Sequence, residues 1–297
     1  MNLIDVSFIS INYNSSNYTI RLIDSIIKHT SINYEIIIID NKSQQKDIDN
    51  LKTYIQNKNI TLIQNNLNCG FACANMIGAK QANGKYLFFI NNDTILLNNV
   101  AKILKQFLDT HPNIALATAN ILDENNKHSS SHKLFPSLTK ELFGNSIARI
   151  FNKYPSNKQE LNHPTPVEVI SGACMFFKKD IFDAIHGFDT NFFLYCEEED
   201  ISKRVLNKGY QIYYIPEAEI FHKGGGSSKQ NYELLREYYI SYKYLISKHF
   251  NKISYITLLV LMYFKILRRS FKDNRYNKLL KEIDSKNSLK YKYKVST

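Results

Sequence analysis

Short apolar runs that stop on polar residues alternate with amphipathic stretches along the first third of the chain. Val6–Asn12, Tyr34–Asp40 and Tyr86–Ile90 are nearly continuous β-branched and aromatic runs and predict buried strands, with a shorter strand at Ile60–Gln64. Between them, Ile20, Ile23, Ile26 and Ile27 fall at helical spacing and predict a helix over 18–28. Further helices are expected over about 47–56 and 73–82. Strands that are continuously apolar, and alternate with helices, imply an α/β fold whose parallel sheet is covered on both faces. In such sheets ligands bind outside the carboxyl ends of the strands, which points to Asn12, Asp40 and Asn91 to Asp93.

Periodicity weakens over 123–166, which is rich in Ser, Asn and Pro and predicts an irregular insertion. A strand is expected over 167–178, carrying Ser171-Gly172-Ala173. A turn at Gly187-Phe188-Asp189 then leads into Phe192-Phe193-Leu194-Tyr195 and the acidic run Glu197-Glu198-Glu199-Asp200. That run opens a helix over 201–208, where carboxylates complement the helix dipole. A last strand over 211–215 precedes Pro216, and Ile220-Phe221-His222 leads into a stretch from Gly224 to Ser228. From 229 onwards the chain reads as helical, aromatic and basic.

At 44% hydrophobic and 22% charged residues the composition is that of a globular protein. The net charge of +11 is placed unevenly: residues 229–297 hold 16 Lys and Arg against 5 Asp and Glu, which leaves 1–228 neutral. A neutral body argues against nucleic-acid binding, and a basic tail argues for contact with something anionic. The apolar stretch 253–264, flanked by Lys252, Lys265, Arg268, Arg269 and Lys272, is shorter than the roughly 20 residues that span a bilayer. It suits a helix lying on an anionic membrane surface through Tyr255, Leu258, Leu259, Met262 and Phe264, or a helix packed on the body or another subunit. Cys69, Cys73, Cys174 and Cys196 make no disulfide scaffold and read as reduced, mostly buried thiols. The first residues lack a basic leader, so no signal peptide and a cytoplasmic location are expected.

Several polar residues carry chemistry, and each has a plainer reading. Asp40 can accept the imide N–H of uracil or thymine, or cap a helix. The Gly70 turn between Asn68 and Asn75 opens a helix, a place suited to a diphosphate. Asp93 offers a hard charged oxygen to Mg²⁺ or Mn²⁺ and Asn91 only a neutral carbonyl, although Asn-Asn-Asp is also ordinary turn chemistry. His222 is a candidate ligand or a core histidine. The carboxylates at 197–200 make a solvated helix start or, against the aromatic run before them, a base with a shifted pKa.

Taken in order, Asn12-Tyr13-Asn14, Asp40-Asn41-Lys42-Ser43, Asn68-Cys69-Gly70-Phe71-Ala72 with Asn75, Asn91-Asn92-Asp93, Ser171-Gly172-Ala173, Gly187-Phe188-Asp189 with Phe192 to Tyr195 and Glu197-Glu198, and His222 resemble a family 2 glycosyltransferase of the GT-A fold. The likeness runs over about 6–228 and is greatest to the rhamnosyltransferase-like enzymes of surface-polysaccharide assembly. It implies a Rossmann-like, mostly parallel sheet in a transferase domain at 1–228, followed by a helical basic tail at 229–297. The implied reaction is an inverting transfer from a nucleotide-diphosphate sugar to a hydroxyl of a lipid-linked or polysaccharide acceptor at the inner membrane face. The favoured donor is dTDP-rhamnose. A UDP-hexose or UDP-N-acetylhexosamine donor, and a catalytically inactive sugar-nucleotide-binding scaffold, are the alternatives. The resemblance assigns Asn12, Tyr13, Asn14, Asp40, Asn68, Gly70, Phe71, Asn75, Asn91 and Asn92 to the nucleotide sugar, and a divalent cation (Mg²⁺ or Mn²⁺) to Asp93 and His222. Gly172, Ala173 and Asp200 fall near the reacting sugars, Glu198 becomes the general base and Glu197 the second candidate. The family more often has a carboxylate where Asn91 stands and Asp where Glu198 stands. The oligomeric state is left open.

Overall fold

The computed structural model describes residues 3–142, 153–155, 161–224 and 231–292. Strands β1 (Val6–Asn12), β2 (Tyr34–Asp40), β3 (Ile60–Gln64) and β4 (Tyr86–Ile90) stand where the apolar runs predict them. They lie in the order β3-β2-β1-β4, all parallel. Helices α1 (Ser16–His29), α2 (Gln45–Ile55) and α3 (Gly70–Gln81) connect them. Because side chains alternate along a strand, neighbours such as Phe8 and Ile9 enter two separate cores. Leu22, Ile23 and Ile26 of α1 fill the first core, and Ala72, Ala74 and Ala79 of α3 the second.

The chain continues through β5 (Thr94–Leu96), α4 (Val100–Thr110) and β6 (Ile114–Leu122), none of which the apolar pattern above predicts. Three two-residue strands follow, β7 (His132–Lys133), β8 (Thr165–Pro166) and β9 (Val169–Ile170). Then come β10 (Cys174–Lys178), α5 (Lys179–Ala184), α6 (Glu197–Asn207) and β11 (Gln211–His222). The sheet extends past β4 as β10-β6-β11-β5.

Four local expectations change. The sheet is mixed, since β10 runs antiparallel to both β4 and β6; an apolar run reports burial of two faces and says nothing of direction. The strand expected over 167–178 is broken at Ser171 to Ala173, and β9 leaves the sheet to pair with β7. The acidic run is itself the first turn of α6, which begins at Glu197. Pro216 does not end the last strand: pairing with β6 slips between Ile215 and Glu219 and then resumes, as a bulge allows. The resumed half pairs His222 with Thr94 and so carries it to the carboxyl end of β4. Of the insertion over 123–166, residues 143–152 and 156–160 lie outside the described residues, as do Gly225 to Ser228 and the junction at 228/229.

Beyond that junction α7 (Tyr232–His249), α8 (Lys252–Ser270) and α9 (Asn274–Glu282) pack on the body. Tyr239, Tyr242, Leu245 and Ile246 of α7, with Leu258, Met262 and Ile266 of α8, share a third core with Phe135, Val169, Phe192 and Cys196. Leu258 and Met262, expected on a membrane-facing side, therefore face inward. A polar clamp adds to this apolar contact. Asp200 of α6 is fully buried, and its carboxylate meets Arg204 at 2.7 Å, Lys248 at 2.7 Å and His249 at 2.8 Å. Lys248 also reaches Asp189 at 2.6 Å. Burial alone would raise the Asp200 pKa, but the His249 hydrogen bond and the Arg204 and Lys248 charges bring it down to about 2. A carboxylate whose pKa falls on folding stabilises the fold above its unfolded value, and that contribution is lost as the pH drops through the folded value. Asp200→Asn should cost about 3 kcal/mol at neutral pH in urea unfolding followed by circular dichroism. The gap from wild type should narrow between about pH 4 and about pH 2; a gap that stays constant there would deny the charge its role.

Candidate active site

Parallel pairing sets Asn12 beside Asp40 at the ends of β1 and β2. Asn12 Nδ2 donates to Asp40 Oδ1 at 2.9 Å and to Asp47 at 2.8 Å, while Asn12 Oδ1 accepts from Thr19 at 2.7 Å. The other Asp40 oxygen accepts the Ser43 N–H at 3.0 Å. Both side chains are buried. Asn12 and Asp40 thus lie under the site rather than on its wall, and they anchor the two loops that reach it.

Above them, along the carboxyl ends of the strands, is a cavity of about 570 Å³. Tyr13 and Asn14 line it after β1, Asn41 after β2, and Asn91, Asn92 and Asp93 after β4. The start of α3 adds Asn68, Gly70, Phe71 and Asn75. Asn68 Oδ1 accepts from Asn41 Nδ2 at 2.8 Å and from the Gly70 N–H at 3.0 Å, which shapes the turn. Gly70 has φ +82°, and a Cβ there would lie 2.2 Å from the Phe193 carbonyl oxygen. Only glycine suits both demands. The next N–H, of Phe71, donates to that same oxygen at 2.8 Å and ties α3 to the 192–195 loop. Asn92 is held by Ser15 at 2.7 Å and Thr19 at 2.9 Å. Asn75 differs: it is buried, it lines the cavity, and its Nδ2 has no protein partner. A buried donor left open in this way costs free energy unless a ligand satisfies it.

Asp93 Oδ1 and His222 Nε2 meet at 3.1 Å. Among the described residues no third His, Cys, Asp or Glu joins them as a ligand set. One carboxylate and one imidazole beside the cavity fit a hard divalent cation, which would need further oxygen ligands.

Gly172 stands beside Phe71, behind the cavity wall. A methyl group there would sit 3.8 Å from the Phe71 ring and 3.9 Å from the Glu198 carboxyl carbon, so Gly172 lies between Phe71 of the cavity wall and Glu198. Ala173 is buried, and its carbonyl accepts the Asn91 N–H at 3.1 Å, which fixes this segment to the end of β4. Glu198 and Glu199 share Lys133 of β7, at 2.9 Å and 2.6 Å. Burial would raise the Glu198 pKa, yet the Lys133 charge and hydrogen bond hold it below its ordinary value. Burial, then the Glu198 charge, pushes Glu197 well above the ordinary carboxylate range and Glu199 in the same direction. Glu197 is 3% exposed with Oε1 unpaired, so its carboxyl is shut away from water. Just before them Tyr195 and Cys196 both hold left-handed backbone, at φ +74° and +69°. Non-glycine residues adopt that region at a cost, and two in succession fix the entry to α6. Asp200 stands apart, turned into the clamp under α7.

Some contributors lay beyond the sequence argument. Lys133 comes from the weakly periodic middle, 65 residues before Glu198, and nothing local marks it. Asn41 belongs to a quoted motif but carried no assignment. The roof comes from the tail: Asn231, Glu233 and Leu234 at the start of α7, and Leu289 from near the end of the described chain. Glu237 holds that last segment in place, accepting from Ser288 Oγ and the Leu289 N–H, each at 2.8 Å.

The family model for glycosyl transferase family 2 matches residues 7–185. An N-acetylglucosaminyl-diphospho-decaprenol L-rhamnosyltransferase of Mycobacterium tuberculosis is 29% identical over 96 residues, 31% of either chain. The rhamnosyltransferase WbbL of Escherichia coli is 24% identical over 145 residues, 48% of this chain and 54% of the relative. The match thus spans between about a third and about half of these curated relatives. Among solved structures, GalNAc-T7 with UDP, GalNAc and Mn²⁺ superposes with a TM-score of 0.62 at 18% identity, over 83% of this chain and 48% of that one. The mannosyltransferase PcManGT of Pyrobaculum calidifontis, with GDP-Man and Mn²⁺, gives 0.57 at 13% identity, over 92% and 73%. At such identities the likeness is one of fold, and that fold is GT-A. With the family model covering more than half of its length, the chain belongs to glycosyl transferase family 2.

Proposed function

We propose that the protein transfers a sugar from a nucleotide-diphosphate donor to an acceptor hydroxyl with inversion at the anomeric carbon. The observation that carries this reading is a pair of charged groups near one cavity, whose wall includes Asp93 and Phe71. Asp93 and His222 stand at the end of β4, and Glu198, kept ionised by Lys133, stands past Phe71 and Gly172. The nucleotide lies along Asn41, Asn68 and Asn75, and the open Asn75 amide donates to it. Asp93 and His222 would hold a divalent cation, which would offset the charge of the departing diphosphate. Glu198 accepts the proton of the acceptor hydroxyl while its oxygen bonds to the anomeric carbon. The bond to the diphosphate breaks on the opposite face, and a single displacement inverts the centre.

The relatives' names support rhamnose as the sugar, and one of them a lipid-linked diphosphate sugar as acceptor; dTDP-rhamnose is the donor this reading takes. Such an acceptor would place the enzyme at the inner face of the membrane. Nucleotide release measured across dTDP-rhamnose and UDP-hexoses, with and without polyprenyl-diphosphate glycans, tests this. Release with UDP-sugars alone would replace the donor, and donor binding without turnover on any acceptor would leave only a sugar-nucleotide-binding role.

Asp93→Ala should abolish Mn²⁺-dependent binding of the nucleotide diphosphate in calorimetry, and His222→Ala should weaken it. Binding by both variants that survives excess EDTA would remove the cation from this site.

Glu198→Gln should bind donor as wild type does and turn over about 10²–10⁴-fold more slowly. Lys133→Met tests the state of that carboxylate. Without the Lys133 charge, burial dominates and the Glu198 pKa rises. Since the base works only when deprotonated, the acidic limb of the kcat profile should move to higher pH. A limb that stays in place in Lys133→Met would assign the proton to another group.

A further inference from the structure

Helix α8 has two apolar sides, and the protein covers only one. Leu258, Met262 and Ile266 enter the third core. On the other side Ile253, Ile256, Val260, Phe264 and Leu267, followed by Phe271 at the helix end, are between 46% and 83% exposed. At 100° per residue these six fall within an arc of about 80°, a continuous stripe along the helix. Single exposed apolar residues are ordinary on a protein surface, but six in one line mark a contact.

The charges around the stripe say what kind of surface it meets. α8 contains Lys252, Lys265, Arg268 and Arg269 and no Asp or Glu. Lys252 and Arg268 border the stripe on either side, and Lys272 follows just beyond the helix end. At that end Arg268, Arg269 and Lys272 line a hollow of about 630 Å³, and the one acid on its wall, Asp273, is paired with Arg275 at 2.6 Å. A second copy of the chain laid on this stripe would bring like charges together with no acid of α8 to match them. An anionic lipid surface answers both features, taking the apolar side chains below its headgroups and the cations among its phosphates. No helix of the described residues is long and apolar enough to cross a membrane, so α8 lies in the plane of the surface.

We propose that this stripe seats α8 in the headgroup region of an anionic bilayer, with Arg268, Arg269 and Lys272 on lipid phosphates. This contact is independent of the donor reading, since it involves no residue of the cavity. The chain has no tryptophan, so Phe264→Trp introduces a single reporter on the stripe, and Ile27→Trp on α1 a control on the body. With phosphatidylcholine–phosphatidylglycerol vesicles, Phe264→Trp emission should shift to the blue and be quenched by brominated lipid, Ile27→Trp should do neither, and added salt should reverse the change. In the otherwise native chain, Val260→Asp with Phe264→Asp should weaken sedimentation with these vesicles by at least tenfold and leave dTDP and UDP binding unchanged. Four outcomes would overturn the proposal: no spectral change at Phe264→Trp, equal binding to phosphatidylcholine alone, full binding by the double variant, or a dimer by light scattering that the double variant dissociates. Loss of nucleotide release with vesicle binding intact would count against the transferase reading alone.

Discussion

Asp200 is fully buried on α6 and still charged, and the nitrogens that make this possible come from two parts of the chain: Arg204 from its own helix, Lys248 and His249 from the end of α7. One carboxylate therefore fixes how α7 lies on α6. The first turn of α6 carries Glu197, Glu198 and Glu199, with Glu198 beside Gly172, and the start of α7 lines the cavity with Asn231 and Leu234. Both surfaces take their positions from a contact that does not itself reach the site. A buried ion pair adds little stability over a well-packed apolar pair, but it tolerates few alternative arrangements. Here it fixes a geometry.

The same economy of charge governs the site. Glu197, Glu198 and Glu199 are consecutive and shielded from water, and three carboxylates so close cannot all ionise. Lys133 supplies one cation to the cluster, and it lies against Glu198 and Glu199 while Glu197 points into the interior with one oxygen unpaired. Lys133 lowers the pKa of Glu198, the member whose carboxyl lies by Gly172. A motif of adjacent acids thus resolves into one carboxyl with a lowered pKa and two with raised ones, a distinction that residue type alone does not contain.

The first half of the fold was legible because its strands are buried on both faces. Tyr34–Asp40 has to be apolar throughout and has to stop on a polar residue where the sheet meets water, and both features show in the chain. Strand direction leaves no such mark, so β10 read like its parallel neighbours. Pro216 signals a lost hydrogen-bond donor, which a bulge accommodates as readily as a strand end does, and the pairing of His222 with Thr94 depends on that bulge. In the site, the motif residues after β1, β2 and β4 gather at one cavity, while Asn12 and Asp40 support it from below and Asp200 works elsewhere. Lys133 was invisible because its meaning lies in a partner 65 residues away. For the tail, charge counting found its character but not its orientation: Leu258 and Phe264 are equally apolar in sequence, and only packing shows that one points in and the other out.

The roof over the cavity has a temporal side. Leu289 closes it from near the far end of the described chain, pinned by Glu237, whereas the floor is made of residues before Asp93. A polypeptide emerging from the ribosome folds its N-terminal portion first. The strands and their loops are then in place well before the residues of α7 and the Leu289 segment that complete the cavity. The lining of the cavity is accordingly completed late in synthesis, and a message cut short before Leu289 yields a chain that lacks that last piece of it.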